Sequence, residues 1–362
     1  MTAITQPRSP IWSMLERIGY EPEGFNYLVE QLHPLWSLTA TKAEVAHIVQ
    51  ETPNTKTFVL SPNRHWKGHR AGQNIGINVG IEGVTHRRRY SVVSSETANT
   101  IEITVKRVEG GLVSNFLHDQ VSVGDVFTLD NADGDFVAPE SIAGYPDKLL
   151  ALCAGSGITP VYAQVAWLLK NGYQGDIQFV HYIHSKTDAI FRRQLQMLSI
   201  KYDNLSVYWC VGSGATKKSP ERYSRRQLAR RVADHAERHT LLCGPAGFMQ
   251  AVRKDIAKQG RDAELSYEYF GLPAVIETGE DAELVTASGK SINVVAGTTL
   301  LDAMLDNGET PKYGCKRGVC HECKCRKSSG VVKNLLTGKD SGPGEEYIQL
   351  CISAPITSIQ LA

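Results

Sequence analysis

The sequence predicts a multidomain chain in which an antiparallel β-barrel is followed by an α/β domain with a parallel sheet and then by a small α+β domain. Three observations support this prediction. Short alternating apolar runs fill residues 41–143, apolar strands alternate with helical stretches over residues 144–272, and residues 281–362 contain a cysteine-rich loop. We expect a helical extension at residues 1–40 and a linker at residues 273–280.

Composition is ordinary for a globular protein. The chain has 362 residues, enough for two or three domains, with 42% hydrophobic and 21% charged residues. A net charge of +1 indicates no general attraction to nucleic acid or membrane. We find neither a signal peptide nor an apolar run of about 18 residues. Four of the eight cysteines form one pattern and four stand singly, so we expect a cytoplasmic protein. We also expect that it can lie at the inner face of the membrane, because of its N-terminal extension.

The N-terminal extension carries two helical patterns. Residues 9–18 begin with a Ser-Pro pair suited to a helix start, and residues 25–32 repeat apolar side chains at helical spacing before Pro34. Such stripes usually pack on their own protein, but Trp12 and Trp36 would also suit a partner or a membrane surface.

The predicted barrel contains alternating runs at residues 57–60, 75–79 and 101–105, separated by Gly and Asn turns. Within it, Arg88, Tyr90 and Ser91 form an R-x-Y-S motif that resembles the flavin-binding signature of the ferredoxin-NADP reductase superfamily. An arginine suits a pyrophosphate, a tyrosine ring can stack on an isoalloxazine, and a hydroxyl can hydrogen-bond flavin N5. The resemblance implies that all three bind flavin and that Tyr90 and Ser91 take part in its reduction.

A second phosphate-binding segment follows in the same domain. Its glycines and a capping serine would open a short helix whose N–H groups can hold phosphate. The segment comprises Gly110, Gly111, Leu112, Val113 and Ser114. An ordinary turn into a helix is the alternative. A second phosphate site predicts FAD over FMN, although related reductases with this domain order sometimes hold FMN.

The α/β domain begins with an apolar run at residues 149–154, a glycine-rich turn and a helix at residues 161–170. Such a turn places backbone N–H groups and a helix dipole against a dinucleotide pyrophosphate. Its G-x-G-x-x-P pattern differs from the G-x-G-x-x-G of dehydrogenases and resembles the nicotinamide half of the same superfamily. The candidate binding residues are Gly155, Ser156, Gly157, Thr159 and Pro160.

Further apolar runs at residues 177–183, 205–211 and 240–243 predict a parallel sheet wound by helices. The last run leads into Cys243, Gly244 and Pro245. In the family this turn lies beside the nicotinamide ring, so the resemblance implies that Cys243 lies near the hydride path. The alternative is a cysteine that only packs in the core.

The nucleotide preference depends on charge after the second strand. An NAD site usually has an acidic residue there for the ribose 2′-hydroxyl. Here Ser185, Lys186 and Arg192 could bind a 2′-phosphate, whereas Asp188 argues for NAD. We predict that NADPH is preferred over NADH.

The cysteine-rich loop has the spacing C-x4-C-x2-C and a distant fourth cysteine, which is the plant-type iron-sulfur pattern. The four candidate ligands are Cys315, Cys320, Cys323 and Cys351. A zinc site is the alternative, but a second short cysteine pair is missing. Gly318 suits a backbone position with positive φ, and Cys325 is predicted to be a buried apolar residue.

Residues 281–362 resemble a plant-type ferredoxin domain of the β-grasp kind, although His321 stands where such loops often carry a small residue. The order flavin, nicotinamide, ferredoxin resembles the oxygenase-reductase branch of the superfamily. It implies an enzyme that takes a hydride from NADPH or NADH to FAD and passes electrons singly through a 2Fe-2S cluster to an oxygen-activating partner.

The extension, residues 63–73 and the ferredoxin domain together resemble reductases of membrane-bound di-iron fatty-acyl desaturases. Ring-hydroxylating oxygenases or soluble monooxygenases are the alternative partners, and a non-catalytic redox sensor is an alternative of another class. The cluster loop is also predicted to have a basic edge that docks on an acidic face. This edge comprises Lys312, Lys316, Arg317, Lys324, Arg326 and Lys327, against Glu322.

Overall fold

A computed structural model describes residues 32–212, 223–270, 281–296, 298–314, 318 and 321–362 of the chain. The described residues form three main β-sheets and a two-stranded ribbon. The helices predicted before Leu32 and the linker predicted at 273–280 lie outside them. Within the described residues, no helix is both long enough and apolar enough to cross a membrane.

The first sheet is antiparallel, with strand order β4-β3-β6-β1-β2-β5. Its strands are β1 (Thr41–Thr52), β2 (Thr55–Pro62), β3 (Asn74–Ile81), β4 (Val84–Ser91), β5 (Ile101–Lys106) and β6 (Val126–Leu129). Glu82 and Gly83 both have positive φ, which is the backbone of the tight turn that best matches strand twist. A bridge between Val92 and Ile103 joins the two edges, so the sheet closes as a barrel. Helix α1 (Leu112–Asp119) packs on it through Val113 and Leu117.

The second sheet is parallel, with strand order β11-β10-β7-β8-β9. Its strands are β7 (Lys148–Ala154), β8 (Asp176–Ile183), β9 (Leu205–Val211), β10 (His239–Gly244) and β11 (Leu265–Tyr269). The helices are α2 (Ile158–Lys170), α3 (Arg192–Lys201), α4 (Arg225–Arg231) and α5 (Ala246–Ala257). Helices α2 and α3 pack in one core and α4 and α5 in another. The chain order reverses between β7 and β10, which is where open α/β sheets bind ligands.

The third sheet has strand order β13-β12-β18-β14-β16 and is covered by one helix, with a ribbon beside it. The elements are β12 (Ala282–Val285), β13 (Ser291–Val294), α6 (Leu300–Asp306), β14 (Lys324–Ser329), β15 (Val332–Asn334), β16 (Glu346–Gln349), β17 (Ser353–Pro355) and β18 (Ile359–Leu361). Thr299 caps α6 by accepting from the Asp302 N–H. Leu300, Leu301 and Met304 bury the inner face of α6. The predicted fold class is confirmed in all three domains.

Candidate flavin, nucleotide and cluster sites

The glycine-rich turn between β7 and α2 is held from two sides. Gly155 has a φ of +53°, which favours glycine, and residues 155–157 form a single 3-10 turn before α2. A Cβ on Gly157 would lie 2.5 Å from the carbonyl of Cys243 and from the Gly244 nitrogen. Only glycine therefore allows this turn to pack against the turn after β10. Thr159 and Pro160 are buried in the first turn of α2.

His181 supports the same turn from the sheet. It is fully buried, and its Nε2 lies 3.0 Å from the Gly155 carbonyl oxygen. Because a carbonyl only accepts, Nε2 carries the hydrogen. Burial lowers the pKa of His181 to about 4, with the Gly155 bond opposing this effect and the Lys106 charge adding to it. A neutral histidine therefore positions the turn.

A cavity of about 670 Å³ opens at the carboxyl ends of β7, β8 and β10. Its lining includes Ala154, Gly155, Ser156, Tyr182, His184, Asp188, Pro245 and Phe248. Gly155 and Ser156 of the glycine turn, immediately before α2, form part of its lining. Backbone N–H groups at a helix start suit a pyrophosphate, so this cavity fits a dinucleotide.

A second cavity of about 410 Å³ lies between β4, α1 and the second domain. Its lining includes Arg88, Arg89, Tyr90, Ser91, Gly111, Leu112, Val113, Ser114, Ser156 and Thr159. Arg88 is exposed, Tyr90 is half-buried, and Ser91 is 3% exposed. The Ser91 Oγ is buried without a hydrogen-bond partner within the described residues. A buried hydroxyl of this kind favours a bound polar group, as a flavin nitrogen would supply.

The two cavities share Lys106 and Ser156. Ligands that fill both cavities would therefore approach each other at these residues, as hydride transfer from nicotinamide to flavin requires. Sequence reasoning missed Lys106, Thr104 and Phe270, which line the second cavity. None of them belongs to a motif, and only the folded chain brings them to the site.

The N-terminal cap of helix α1 differs from the predicted serine cap. Gly111 is the N-cap residue and no side chain caps the helix. The Ser114 Oγ instead accepts from the Val108 N–H at 3.2 Å and donates to the Gly111 carbonyl at 3.3 Å. The predicted capping role is therefore wrong, because Ser114 lies one turn inside the helix and braces the preceding turn. Gly110 has a φ of +68° and does not line the cavity.

Cys243 is fully buried in the core that contains Ile158 and Val161. It lines neither of the two cavities, whereas Pro245 two residues later lines the first. A Cβ on Gly244 would lie 2.8 Å from the Phe248 ring. The turn as a whole therefore borders the nucleotide cavity, and the role of the Cys243 side chain in the hydride path stays a prediction.

The predicted 2′-phosphate residues lie beyond β8. The Asp188 carboxylate accepts from the Ser185 N–H at 3.1 Å and from its hydroxyl at 2.9 Å, which completes a capping box. Asp188 borders the nucleotide cavity, while Lys186 and Arg192 are exposed and do not line it. The Arg192 guanidinium lies 6.0 Å from the Trp209 ring.

The cysteine site is described in part. Cys323 and Cys351 are each 2% exposed, and their sulfurs lie 3.2 Å apart with both cysteines reduced. This spacing lets both thiolates reach one metal ion, so the pair fits half of the predicted cluster site. Gly318 has a φ of +76°, as predicted. Cys315 and Cys320 lie outside the described residues, so the full ligand set stays a prediction.

The predicted basic edge needs correction. Lys327 is fully buried, and its Nζ donates to the carbonyl oxygens of Gly342 and Gly344, the first at 2.7 Å. Arg326 pairs with Glu345 at 3.0 Å. Lys316 and Arg317 lie outside the described residues, and Lys312, Lys324 and Arg326 are exposed. Cys325, predicted to be buried, is half-buried.

Models of three families match the chain in the order of its three domains. They are an oxidoreductase FAD-binding domain over residues 42–137, an oxidoreductase NAD-binding domain over residues 151–254 and a 2Fe-2S iron-sulfur cluster binding domain over residues 285–355. These matches agree with the two cavities and the cysteine pair. The cofactors are therefore FAD, a 2Fe-2S cluster and NAD(P)H, which supply hydride and single-electron chemistry when bound.

Two relatives align over nearly the whole chain. An NADPH oxidoreductase of Mycobacterium tuberculosis is 28% identical over 359 residues, covering 96% of this chain and 91% of its own. The glycine betaine monooxygenase reductase subunit of Pseudomonas aeruginosa is 29% identical over 358 residues, covering 91% and 97%.

Among solved structures, phthalate dioxygenase reductase shares the fold, with a TM-score of 0.61 at 18% identity, over 88% of this chain and 97% of that one. The chain is thus an NAD(P)H-dependent electron-transfer oxidoreductase of the kind found in oxygenase systems. It belongs to the ferredoxin-NADP reductase superfamily, in the oxygenase-reductase group that carries a C-terminal plant-type 2Fe-2S domain.

Proposed function

We propose that this reductase takes electrons from NADPH and delivers them, through FAD and the 2Fe-2S cluster, to a membrane-bound di-iron fatty-acyl desaturase. The observation that carries this proposal is the way the end of the N-terminal extension is fastened to the flavin barrel.

Residues 63–73 hold that end of the extension. The Asn63 side-chain amide donates to the carbonyl of Leu35 at 3.3 Å and of Ala40 at 3.1 Å, and the His65 Nε2 lies 3.0 Å from the Ser37 carbonyl oxygen. These bonds fix the point at which the extension leaves the barrel wall. The two parts of the sequence that resemble desaturase reductases are therefore in contact.

Large apolar side chains are exposed at the same place. Leu32 is 77% exposed and Trp36 is 56% exposed. An indole ring suits the interface between lipid and water, and exposed apolar groups beside a fixed anchor point suit a membrane or a membrane-bound partner. This supports a membrane-bound acceptor over a soluble one.

The preference for NADPH is supported by charge beyond β8. The positive side chains of Lys186 and Arg192 follow β8 in the chain and are exposed, and Asp188 is already engaged by Ser185. A carboxylate held in a capping box is less available for a ribose 2′-hydroxyl. The Mycobacterium tuberculosis relative is also named for NADPH.

A soluble oxygenase is the second candidate for the acceptor. It is favoured by the relative that serves a glycine betaine monooxygenase. A redox sensor without catalysis has less support, because the flavin and nucleotide cavities meet at shared residues.

Reconstitution tests the proposal. The holoprotein is mixed with membranes containing a desaturase and with NADPH, and double-bond formation is measured for the full chain, for a chain lacking residues 1–40 and for Trp36→Ser. Val123→Ser is the matched control, since Val123 is 61% exposed elsewhere on the barrel domain. We expect both changes to the extension, but not the control, to lower product formation. The desaturase assignment fails if product stays at background while an aromatic-ring oxygenase is supported. A kcat/KM higher for NADH than for NADPH would contradict the donor assignment.

A further inference from the structure

We propose that Arg253 is a positioning residue that docks the cluster domain on the nucleotide domain, by hydrogen-bonding the backbone carbonyl of Leu336. The two residues lie in different domains, Arg253 on α5 and Leu336 in the turn after β15. Their contact would fix the distance over which electrons pass from flavin to cluster.

The guanidinium of Arg253 is itself held in place. Its Nη1 donates to the Tyr269 hydroxyl at 2.8 Å and to the Leu336 carbonyl at 3.0 Å. Its Cζ lies 4.5 Å from the centre of the Tyr267 ring. Tyr267 and Tyr269 lie on β11, immediately before the segment that leads to the cluster domain. A planar cation stacked on one ring and bonded to a second is oriented before it meets Leu336, which lysine could not reproduce.

Leu336 belongs to two cores. Its side chain packs against the core of α4 and α5 in the nucleotide domain and against the core that contains Cys323 and Cys351. A Cβ built on Gly318 would lie 3.0 Å from the Leu336 Cδ1, so this side chain also touches the cysteine loop. Leu336 is therefore a direct link between the cysteine loop and the nucleotide domain.

The turn that contains Leu336 is held by hydrogen bonds. The Asn334 side-chain oxygen accepts from the Leu336 N–H at 3.0 Å, and the Leu335 N–H donates to the Ile352 carbonyl at 2.8 Å. Ile352 directly follows the ligand Cys351. The position of the Leu336 carbonyl is thus coupled to the cluster site through the hydrogen bonds of this turn and through the packed Leu336 side chain.

A second contact between domains is weaker. Arg87 on β4 lies 3.9 Å from Glu322 in the cysteine loop, and their side chains are 27% and 51% exposed. Arg87 also pairs with Asp130 at 2.6 Å. Exposed ion pairs at such distances contribute little, whereas a hydrogen bond from a stacked, partly buried cation contributes more. Domains in one chain move relative to each other unless their interface is large and hydrophobic. A specific hydrogen bond such as that from Arg253 to Leu336 would limit this motion.

Helix α5 also connects the docking contact to the nucleotide site. Phe248 and Ala251, which precede Arg253 on this helix, line the nucleotide cavity. The same helix therefore borders the hydride donor and holds the cluster domain. The hydride donor supplies two electrons, whereas a 2Fe-2S cluster accepts one, so a bound flavin would pass the second electron only after the acceptor protein had reoxidised the cluster.

The test uses the holoprotein with Arg253→Ala and Arg253→Lys, and with Lys254→Ala as control, since Lys254 is exposed on the same helix. Anaerobic stopped-flow absorbance separates flavin reduction by NADPH from cluster reduction by flavin. Small-angle X-ray scattering measures the radius of gyration independently of activity.

For Arg253→Ala we expect flavin reduction within about twofold of the wild type, cluster reduction slower by about tenfold because a hydrogen bond from a charged group is lost, and a larger radius of gyration. Arg253→Lys should show the same pattern with a smaller loss, and it remains informative if the alanine variant does not fold. The control should match the wild type. Unchanged cluster reduction in both Arg253 variants, or an equal slowing of both steps, would overturn the proposal.

Discussion

The backbones of Gly157 and Cys243 touch, so that a Cβ on Gly157 would lie 2.5 Å from the carbonyl carbon and oxygen of Cys243. This contact joins the turn after β7 to the turn after β10, at the point where the strand order reverses. Gly155, Ser156 and Pro245, which line the nucleotide cavity, therefore keep their relative positions only because Gly157 has no side chain.

Gly157→Ala should damage both stability and nucleotide binding. Because the clash is with backbone and not with a flexible side chain, one of the two turns must move, at a cost of about 1–3 kcal/mol in the free energy of unfolding. Chemical denaturation and kcat/KM for NADPH measure the two effects. Gly80→Ala is the control, since nothing lies within 4 Å of its added Cβ. A Gly157→Ala protein that matches this control in both measurements would show that the contact is not needed.

Ser91→Ala should slow flavin reduction while leaving the fold intact. Its buried Oγ has no partner among the described residues, so removing it costs the protein alone little, but it removes a hydrogen bond to bound flavin. We expect reduction by NADPH to slow about tenfold, as for a lost hydrogen bond at the reacting group. Thr55→Val is the matched control, because the Thr55 hydroxyl is also buried without a described partner but lies outside the flavin cavity. Equal rates in both variants would argue against a flavin contact for Ser91.

Cys320→Ser should abolish the ferredoxin absorbance and leave flavin reduction intact. The cluster needs four thiolates, whereas the flavin cavity is built from other domains. Visible absorbance and rapid-mixing kinetics check the two parts separately. Cys325→Ser should keep the cluster, since Cys325 is half-buried two residues beyond the ligand pattern. Loss of both cofactors from Cys320→Ser would show that the domains do not bind them independently.

Stability should fall as the pH is lowered from about 6.5 to 4, in part because of His181. Its pKa falls from 6.5 to about 4 on folding, chiefly through burial, so in this range the unfolded chain binds a proton that the folded chain does not. The neutral, buried His181 contributes about 3 kcal/mol to the free energy of unfolding above pH 6.5, relative to its protonated form. This contribution is lost as the pH approaches 4.

His181→Gln tests this assignment, because glutamine can still donate to the Gly155 carbonyl but does not titrate. Burial also lowers the pKa values of His69, His118 and His239, so the wild-type slope includes their share. The slope of the unfolding free energy against pH reports the number of protons taken up on unfolding. For the variant this number should be smaller by about one between pH 4 and 6.5. An unchanged slope would assign the effect to the other histidines.

The sequence was most informative where local backbone chemistry decides the structure. Gly318 was predicted to suit a backbone position with positive φ, and it has a φ of +76°. Gly155 was predicted to lie in a phosphate-binding turn because the glycines stand between a buried strand and a helix start. The strand ends that carry the motifs were also predictable, since buried parallel strands are continuous apolar runs. The order of the three domains followed from these runs and from the cysteine spacing.

Residues brought together by tertiary contacts were not predictable. Lys327 was assigned to a charged surface, but it follows exposed Arg326 and therefore points to the opposite face of β14. Its burial is tolerated because two carbonyls of a distant glycine turn accept from its Nζ. Lys106 at the end of β5 and Phe270 directly after β11 likewise reach the flavin cavity without belonging to a motif.

The most direct measurement of the whole account is the anaerobic mixing of oxidised holoprotein with one equivalent of NADPH, followed at wavelengths that distinguish flavin from cluster. We predict that the flavin bleaches first, that the cluster bleaches as flavin colour partly returns, and that the electrons recovered in both equal the two supplied by the hydride. A flavin that does not bleach, or one that stays reduced beside a cluster that never accepts an electron, would contradict the account.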